Sequence, residues 1–335
     1  MRSIRHAVVA CIAIALLAPF ITAQSAPRWV VGGEDDVATQ LGRFRGVEAL
    51  PSLFVVLERD APFIKVFDYS GRLVQSVGRA GGGPGEFSAP SSATFDARQQ
   101  RLLVVDATNA RVTEYAVGDT LAYARQLTLE DNGVRSLCIL GARLFGLARN
   151  SPTIVRELRE DPTRLSVIAS FGELRTNHQH GGHPFVRSRA SDGPMSCDQG
   201  GNRIVAASSI LGEVQVIDAV TRAQASSPLP GFEGLTITVD DNSMTMTPPE
   251  AGFDVVVDLV TWDGMLRAVT ERSKPAPGGP PLSLGFATAP ITTRGPGPLS
   301  ARQAWRPLAQ TKAGALCSLS DPAPTIALFA GGRCP

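Results

Sequence analysis

Residues 66–90, VFDYSGRLVQSVGRAGGGPGEFSAP, decide the fold that the sequence predicts. An apolar strand ending at Asp68 turns through Ser70 and Gly71 into a second strand, which leads into a glycine-rich loop. A further strand, turn and strand follow at residues 101–112, RLLVVDATNARV. Short strands bounded by Gly, Asn and Asp turns are typical of an all-β protein.

A short apolar strand with a polar or basic start recurs along the chain. It begins at residues 53, 101, 143, 203 and 243, so that successive starts are 48, 42, 60 and 40 residues apart. Spacing in the forties favours four antiparallel strands per blade of a β-propeller. A β-sandwich or a barrel would also contain short strands, but the repeat at this spacing favours a propeller over either of them. Five such blades fit between residues 46 and 272.

The glycine-rich loop and the turn after it closely resemble the NHL-like repeats of bacterial six-bladed β-propeller proteins. The match is close over the first two blades and holds in outline over the later ones. In that family the aspartate and asparagine shape the turn, while the arginine makes polar contacts around it. The residues that carry the resemblance are Gly83, Pro84, Gly85, Glu86, Phe87, Asp106, Asn109 and Arg111.

The glycine-rich loop itself is better suited to structure than to phosphate binding. A phosphate cradle needs a helix N-terminus directly after the glycines, whereas Ser88-Ala89-Pro90 leads toward another strand. Glycines permit positive φ angles in a tight link between blades. We expect Phe87 to fill the core between two blades and Glu86 to accept backbone hydrogen bonds.

The predicted fold class is an all-β, six-bladed β-propeller of four-stranded antiparallel blades, with the last blade degenerate or missing. Residues 24–272 form the propeller domain in this prediction. The tail, residues 273–335, holds 11 prolines, 8 glycines and a single acid, Asp321, a composition typical of low-complexity sequence. Either the last blade is degenerate and is joined by an N-terminal strand near residues 28–31, or the reading frame shifted near residue 273.

The N-terminus predicts export. Arg2 and Arg5 precede an apolar stretch at residues 7–21, and small residues follow at Thr22 and Ala23. This pattern indicates a secretory signal peptide over residues 1–23. An uncleaved anchor and a lipoprotein site ending at Cys11 are the alternatives. We expect a periplasmic or extracellular protein with no integral membrane segment after cleavage.

Charge argues against nucleic acid as a partner. The chain carries 32 Lys and Arg residues against 31 Asp and Glu residues, including Arg2 and Arg5 of the predicted signal peptide. The mature chain therefore has a net charge near zero and no polybasic run, which nucleic acids and anionic lipids require.

Four cysteines remain after the predicted cleavage: Cys138, Cys197, Cys317 and Cys334. Cys138 and Cys197 are separated by 59 residues, close to the local blade spacing of 60. They could therefore occupy equivalent innermost strands of adjacent blades. A disulfide between them is one interpretation, and two buried thiols acting as small apolar side chains is the other.

Three histidines cluster in the longest interval between repeats, an insertion at residues 174–191. His178, His180 and His183 stand in the sequence NHQHGGHP, and imidazoles at such spacing can bind zinc, copper or nickel. A divalent metal site is therefore one hypothesis. Incidental metal affinity and a plain polar loop are the alternatives, because the Gly-Gly segment offers nothing to hold the rings.

The predicted function is an exported scaffold that binds a ligand or protein partner through loops on one face, without catalysis and without a cofactor. The insertion at residues 174–191 is the candidate surface. The alternative is a metal-dependent hydrolase or lyase, lactonase-like or peptide-amidating-lyase-like, with its site in the central channel. Glu48, Asp96 and Asp198 lie near predicted innermost strands and are the carboxylates that such a site could use.

Overall fold

Four-stranded antiparallel sheets make up most of the molecule. The computed structural model describes residues 26–33, 39–149, 151–176, 178–279, 281–319 and 324–335. The predicted signal peptide, residues 1–23, lies outside the described residues. Within them the strands form six blades, when the one eight-stranded sheet is counted as two.

The first five blades follow one another along the chain, and the sixth adds a strand from the N-terminus. Strands are given in pairing order within each blade. Blades 1 and 2 consist of β2 (Phe44–Ala49), β3 (Leu53–Glu58), β4 (Ile64–Asp68) and β5 (Leu73–Val77), then β8 (Pro90–Asp96), β9 (Arg101–Asp106), β10 (Arg111–Val117) and β11 (Leu121–Leu129). Blades 3 and 4 consist of β12 (Val134–Leu140), β13 (Arg143–Ala148), β14 (Thr153–Glu160) and β15 (Arg164–Glu173), then β16 (Met195–Asp198), β17 (Arg203–Ala207), β18 (Glu213–Asp218) and β19 (Gln224–Pro228). Blades 5 and 6 consist of β22 (Phe253–Trp262), β23 (Met265–Lys274), β24 (Leu282–Thr292) and β25 (Gly295–Pro296), then β26 (Arg306–Thr311), β27 (Gly314–Leu319), β28 (Thr325–Phe329) and β1 (Trp29–Gly32).

The blades form a closed ring. The first strand of each blade contacts the first strand of the next, from β2 through β8, β12, β16 and β22 to β26, and β26 contacts β2. A short parallel pairing between β11 and β15 also joins blades 2 and 3. The molecule is therefore a six-bladed β-propeller of four-stranded antiparallel blades, and the predicted fold class is confirmed in these respects.

The last blade is present, so the expectation that it is missing is corrected. Strand β1 pairs with β28 from Trp29 opposite Leu328 to Gly32 opposite Thr325, and it completes the fourth position of the blade. Two of the prolines in the described part of the tail stand where a sheet tolerates them, one at an edge and one beside a bulge. Pro307 adjoins a bulge on β26, and Pro296 lies in the two-residue edge strand β25.

Strand β23 (Met265–Lys274) ends one residue after the change in composition at residue 273. The next strand, β24, lies inside the proline-rich tail and pairs with β23 from Leu282 to Pro290, so the sheet continues across that change. The alternative of a shifted reading frame concerns the gene and stays a prediction.

The strand that the repeat predicts at residues 243–247 does not belong to a blade. It is β21 (Met244–Thr247), which pairs with β20 (Thr236–Val239) in a hairpin between blades 4 and 5. Its side chains alternate between half-buried and exposed, whereas Val256, Leu259 and Val260 of β22 are buried in the true fifth blade. Alternation of polarity alone therefore does not distinguish a hairpin on the surface from a blade.

Three smaller elements, β6, β7 and α1, lie outside the four-stranded blades. The two-residue strands β6 (Arg79–Ala80) and β7 (Glu86–Phe87) pair in parallel within the glycine-rich loop. Helix α1 (Pro184–Ala190) lies in the insertion between blades 3 and 4. No helix among the described residues has the length and apolar character needed to cross a lipid bilayer.

Apolar side chains pack between neighbouring blades and form the core. Trp29 of β1 stacks on Phe54 with ring centroids 5.4 Å apart, and Phe54 stacks on Phe67 at 5.1 Å. The indole N–H of Trp29 donates to the Tyr69 carbonyl at 2.8 Å. The N-terminal strand thus fixes blade 6 against blade 1 both by pairing and by aromatic packing. The fully buried phenylalanines are Phe54, Phe67, Phe87, Phe145, Phe286 and Phe329.

Candidate functional site

The innermost strands surround a central channel with a volume of about 1600 Å³. Side chains from all six blades line it, among them residues of β2, β8, β12, β16 and β22, and Arg306 at the start of β26. This is larger than a typical small-molecule pocket of about 300–1,000 Å³. The channel is concave and is lined by polar groups from all six blades, and it is therefore the candidate site.

A β-bulge recurs near the start of the innermost strands. In five of the six innermost strands within the described residues, one extra residue interrupts the pairing with the second strand. A bulge re-aims the side chain of the extra residue and is common beside binding sites. The extra residues are Arg45, Ser91, Arg135, Val257 and Leu308. All of these except the buried Leu308 line the channel.

Four arginines gather at the end of the channel where the innermost strands begin. We call this end the basic mouth and define it by Arg43, Arg45, Arg59 and Arg135, all of which line the channel. Strands β2 and β3 are antiparallel, so Arg59 after β3 lies beside Arg43 before β2, and its N–H donates to the Arg43 carbonyl at 2.9 Å. None of the four side chains has an ion pair with any residue that the structure describes.

Positive charge at the basic mouth is concentrated on blade 1. Burial against the channel wall lowers the pKa of Arg45, the neighbouring Arg59 lowers it further, and Asp60 opposes both effects. The guanidinium group remains charged at neutral pH because arginine titrates far above it. An anion placed between Arg45 and Arg59 would relieve the repulsion between the two cations.

Glu48 is the carboxylate of the channel wall that departs most from its usual chemistry. Its Oε1 accepts a hydrogen bond of 2.9 Å from the Phe95 N–H on the next blade. Burial raises the pKa of Glu48 to about 7, the Phe95 N–H opposes this, and the charge of Asp258 adds to it. Asp258 is itself held by Arg306 at 2.8 Å. Glu48 is therefore close to half protonated at neutral pH.

The other two predicted carboxylates stabilise turns. Asp96 is buried and pairs with Arg101 at 3.2 Å, while its Oδ1 accepts the Arg98 N–H at 3.1 Å. Asp198 pairs with Arg203 in the same way. Each aspartate precedes its arginine by five positions across the hairpin between the first and second strands of a blade. The structure therefore does not bring Glu48, Asp96 and Asp198 together as one ligand set.

The cysteines form two disulfides. Cys138 on β12 and Cys197 on β16 are joined, and both line the channel at the innermost strands of blades 3 and 4. Cys317 on β27 is joined to Cys334 near the C-terminus. The first bond links adjacent blades, and the second fastens the C-terminal segment to blade 6.

The three histidines of the insertion are not assembled around one point. The rings of His178 and His180 are neighbours, with centroids 5.6 Å apart, and burial together with the charge of His180 lowers the pKa of His178. His183 instead donates from Nε2 to the Asp240 carbonyl at 3.1 Å and packs on Phe185. Among the described residues no group of three or more His, Cys, Asp or Glu side chains could hold a metal ion. The hydrogen bond to Asp240 in the β20–β21 hairpin keeps the His183 imidazole apart from those of His178 and His180.

The two insertions of blades 3 to 5 meet beside the basic mouth. The contact between His183 and Asp240 joins the α1 segment to the β20–β21 hairpin. Asp192, which follows α1 and lines the channel, pairs with Arg149 at 2.6 Å. The predicted binding surface at residues 174–191 thus reaches the channel wall, but the hairpin that supports it was missed because its strands were assigned to a blade.

Asp106, Asn109 and Arg111 tie the glycine-rich loop to blade 2. The buried Asp106 carboxylate accepts the N–H groups of Ser88 at 2.9 Å and Ala89 at 3.1 Å, and the Asn109 side-chain N–H at 2.7 Å. Arg111 donates to the Gly82 carbonyl at 2.6 Å. These residues carry structure, and none of them lines the channel.

The Gly83-Pro84-Gly85-Glu86-Phe87 segment completes that arrangement. Glu86 accepts the Gly83 N–H at 2.7 Å and pairs with Arg79 at 2.7 Å, and its pKa is lowered by these bonds. Phe87 is fully buried and meets Phe63 edge to face at 6.1 Å. The segment therefore anchors the link between blades 1 and 2.

The sequence analysis missed Arg45 and Arg135 as site residues. Each is followed by a small residue at the start of a strand, in the pairs Arg45-Gly46 and Arg135-Ser136, and Ser91-Ser92 takes the equivalent place in blade 2. A polar residue followed by Gly or Ser at the start of an innermost strand is the signal that could have located these three bulges, whereas Val257 and Leu308 carry no such signal.

Comparison with known proteins agrees with the fold. A family model described as a six-bladed β-propeller matches residues 38–139. No curated protein shows significant sequence similarity to the chain. The family match covers the region of the glycine-rich loop, and the finer resemblance to NHL-type repeats stays a prediction.

Solved structures of low sequence identity share the architecture. A Bacteroides fragilis NCTC 9343 protein described as exported is 12% identical, with a TM-score of 0.52, over 89% of this chain and 86% of its own. A Bacteroides vulgatus ATCC 8482 protein is 8% identical, with a TM-score of 0.54, over 90% of this chain and 95% of its own. The WD40 repeats of RRP9 are 10% identical, with a TM-score of 0.54, over 91% and 99%. At these identities the likeness concerns the fold alone.

Proposed function

We propose that this protein is an exported binding propeller whose basic mouth recognises an anionic ligand. The observation that carries the proposal is the pair of bulged arginines, Arg45 and Arg135, which line the channel without a carboxylate partner among the described residues. Arginine presents rigid paired donors that match carboxylate and phosphate groups. A propeller supplies a rigid frame on which such groups are held in place.

The neighbourhood of Arg45 supports an anion in particular. Arg59 and Arg43 lie beside it on the same blade, and the repulsion between like charges that lowers the pKa of Arg45 would fall when an anion binds. Charged hydrogen bonds of this kind contribute about 1.5–3 kcal/mol each. Two such arginines are sufficient for selective binding of a small anion.

Export is supported by several features. The apolar stretch at residues 7–21 follows two arginines, and the chain carries two disulfides, which form in oxidising compartments. A fold neighbour from Bacteroides fragilis is described as exported. Nucleic acid is not part of the proposal, because the net charge of the chain is only +1. A metal-dependent hydrolase or lyase is not developed further, since no observation on the described residues favours it.

Isothermal titration calorimetry with a panel of anions tests the proposal. We expect wild-type protein to bind at least one of galacturonate, citrate and inorganic phosphate, and not the neutral sugar galactose. The double variant Arg45→Ala/Arg135→Ala should lose about tenfold or more in affinity, as expected for the removal of charged hydrogen bonds.

Arg98→Ala is the matched control, because Arg98 also lines the channel but follows β8 and so lies at the opposite mouth. Its affinity should equal that of the wild type. Failure of every anion to bind, or equal binding by the double variant, would overturn the proposal.

A further inference from the structure

A second cavity of about 580 Å³ opens beside the channel between blades 2 and 3. Its lining comes from the loop between β9 and β10, the start of β12, and the loop between β13 and β14. Thr108, Arg135 and Arg149 line both this cavity and the channel, so the two spaces adjoin along these side chains. We call this cavity the side pocket, and its polar lining residues include Thr108, Asp131, Asn132, Arg135, Arg149 and Ser151.

The acidic group of the side pocket is already used by the protein. Asp131 binds the buried Arg156 at 2.5 Å and accepts the Gly133 N–H at 2.8 Å. Arg156 also donates to the Ser151 hydroxyl at 2.7 Å. These bonds fix the floor of the pocket and leave no free carboxylate there among the described residues.

Donor groups remain available at the boundary with the channel. One Nη of Arg149 donates to Asp192 at 2.6 Å. The Nε of Arg149 is buried and has no hydrogen-bond partner within the described part of the molecule. Arg135 has no ion pair there, lies at a bulge of β12 and lines both the channel and the side pocket. The Thr108 hydroxyl and the exposed Asn132 amide add neutral donors. The pocket therefore offers unused donors and no unused acceptor carboxylate.

We propose that the side pocket is a second anion subsite, and that the ligand carries two anionic groups, one at the basic mouth and one in the side pocket. This inference rests on the proposed function of the basic mouth. Arg135 belongs to both spaces and would lie between the two groups. A second anion in the same molecule binds without a second loss of translational freedom, so a diacid should bind more tightly than the corresponding monoacid.

Matched ligand pairs test the inference. Digalacturonate is compared with galacturonate, and pyrophosphate with inorganic phosphate, so that carboxylate and phosphate chemistry are distinguished. Monoanion here means the member of a pair with one anionic group and dianion the member with two, whatever their formal charges at neutral pH. With wild-type protein we expect at least one dianion to bind about tenfold more tightly than its partner. Calorimetry supplies the two dissociation constants of each pair.

The variant Asn132→Trp fills the side pocket from its exposed rim, at a residue that does not itself line the channel. We expect it to retain wild-type affinity for the monoanion and to lose the additional affinity for the dianion. Asn242→Trp places the same side chain on the exposed turn of the β20–β21 hairpin and should keep both affinities. Thermal melting of both variants checks that they remain folded.

The outcomes separate the two proposals. If wild-type protein binds mono- and dianion equally, or if Asn132→Trp keeps the preference, the side pocket is not a subsite while the basic mouth stands. If no anion binds at all, the proposed function fails and the subsite fails with it.

Discussion

Glu48 differs from Asp96 and Asp258 of the channel wall because no arginine pairs with it among the described residues. Asp96 and Asp258 each face an arginine, whereas Glu48 has only the Phe95 N–H among the described residues. A buried carboxylate with a single neutral donor is less costly when it is protonated. The nearby Tyr69 also responds, since burial and the charge of Glu48 raise its pKa to about 12.

Stability should therefore fall as the pH rises through neutrality. The pKa of Glu48 is about 7 in the folded protein against an ordinary value of 4.5, so the folded state binds this proton more tightly than the unfolded chain does. The resulting stabilisation is complete below pH 4.5 and is lost as the pH passes 7. Its size is at most about 3 kcal/mol, since one pKa unit corresponds to about 1.4 kcal/mol and Glu48 is only partly shielded from solvent.

Chemical denaturation from pH 4 to pH 9 measures this effect as the difference between wild type and Glu48→Gln. We expect the variant to lack the decline in free energy of unfolding around neutral pH. Glu173→Gln changes an exposed glutamate and should follow the wild-type profile. Parallel profiles for wild type and Glu48→Gln would show that Glu48 is not the group responsible.

For a single residue, the sequence predicts the role of the side chain only where its partner lies a few positions away along the chain. The aspartates at 96 and 198 have their arginines five positions later, so their structural role could have been read from that spacing. Glu48 shows no such pattern because its surroundings come from blades 2 and 5. The cationic cluster at the basic mouth likewise depends on bulges, which arise from pairing between strands.

The glycine-rich loop depends on one buried carboxylate. Asp106 is fully buried and binds two backbone N–H groups and the Asn109 amide. Asp106→Ala leaves these donors without an acceptor, which we expect to cost about 3 kcal/mol of unfolding free energy. Urea denaturation measures the loss.

Asp68→Ala is the comparison, since Asp68 makes a similar set of bonds to Ser70 and Arg72 at an exposed turn. There water replaces the lost carboxylate, and the cost should be below about 1 kcal/mol. Equal losses in the two variants would contradict the role given to Asp106.

Elements were predicted best where the pattern repeats without interruption. The first strands of blades 1 to 4 begin near residues 44, 90, 134 and 195, and the apolar second strands that the sequence analysis identified follow each of them. The hairpin of β20 and β21 was mistaken for a blade because both show alternating polarity. In the tail, the density of proline hides the strands of the last blade, whose pairing with β1 near residues 28–31 was one of the two alternatives.

The two disulfides should stabilise the ring to different extents. They close loops of 59 and 17 residues, and the loop-entropy relation assigns about 4 kcal/mol to the longer and about 3 kcal/mol to the shorter. Cys138→Ala/Cys197→Ala should therefore lower the free energy of unfolding more than Cys317→Ala/Cys334→Ala. Guanidinium denaturation under oxidising conditions measures both.

Reduction of the wild type supplies the control, because a thiol reductant should destabilise it and leave a variant lacking all four cysteines unchanged. If the Cys138→Ala/Cys197→Ala variant unfolds at the wild-type denaturant midpoint, the bond between blades 3 and 4 contributes nothing to the stability of the ring.

The repeat of four-stranded blades was accessible from the spacing, and the number six from the resemblance to six-bladed propellers, whereas the content of the channel was not. Repeats of this spacing indicate a ring, since each blade must cover the apolar faces of two neighbours. The channel lining collects single residues from positions that are distant in sequence, such as Arg45, Arg135 and Arg306. No local pattern relates these residues to one another.

The pairing of β1 with β28 determines when blade 6 can be completed during synthesis. Trp29 is synthesised before blades 1 to 5, and its partner Leu328 is synthesised after them. Contacts of such large sequence separation form slowly. Blades 1 to 5 can therefore stack during synthesis, while β1 stays without its partner strand until β28 has been synthesised.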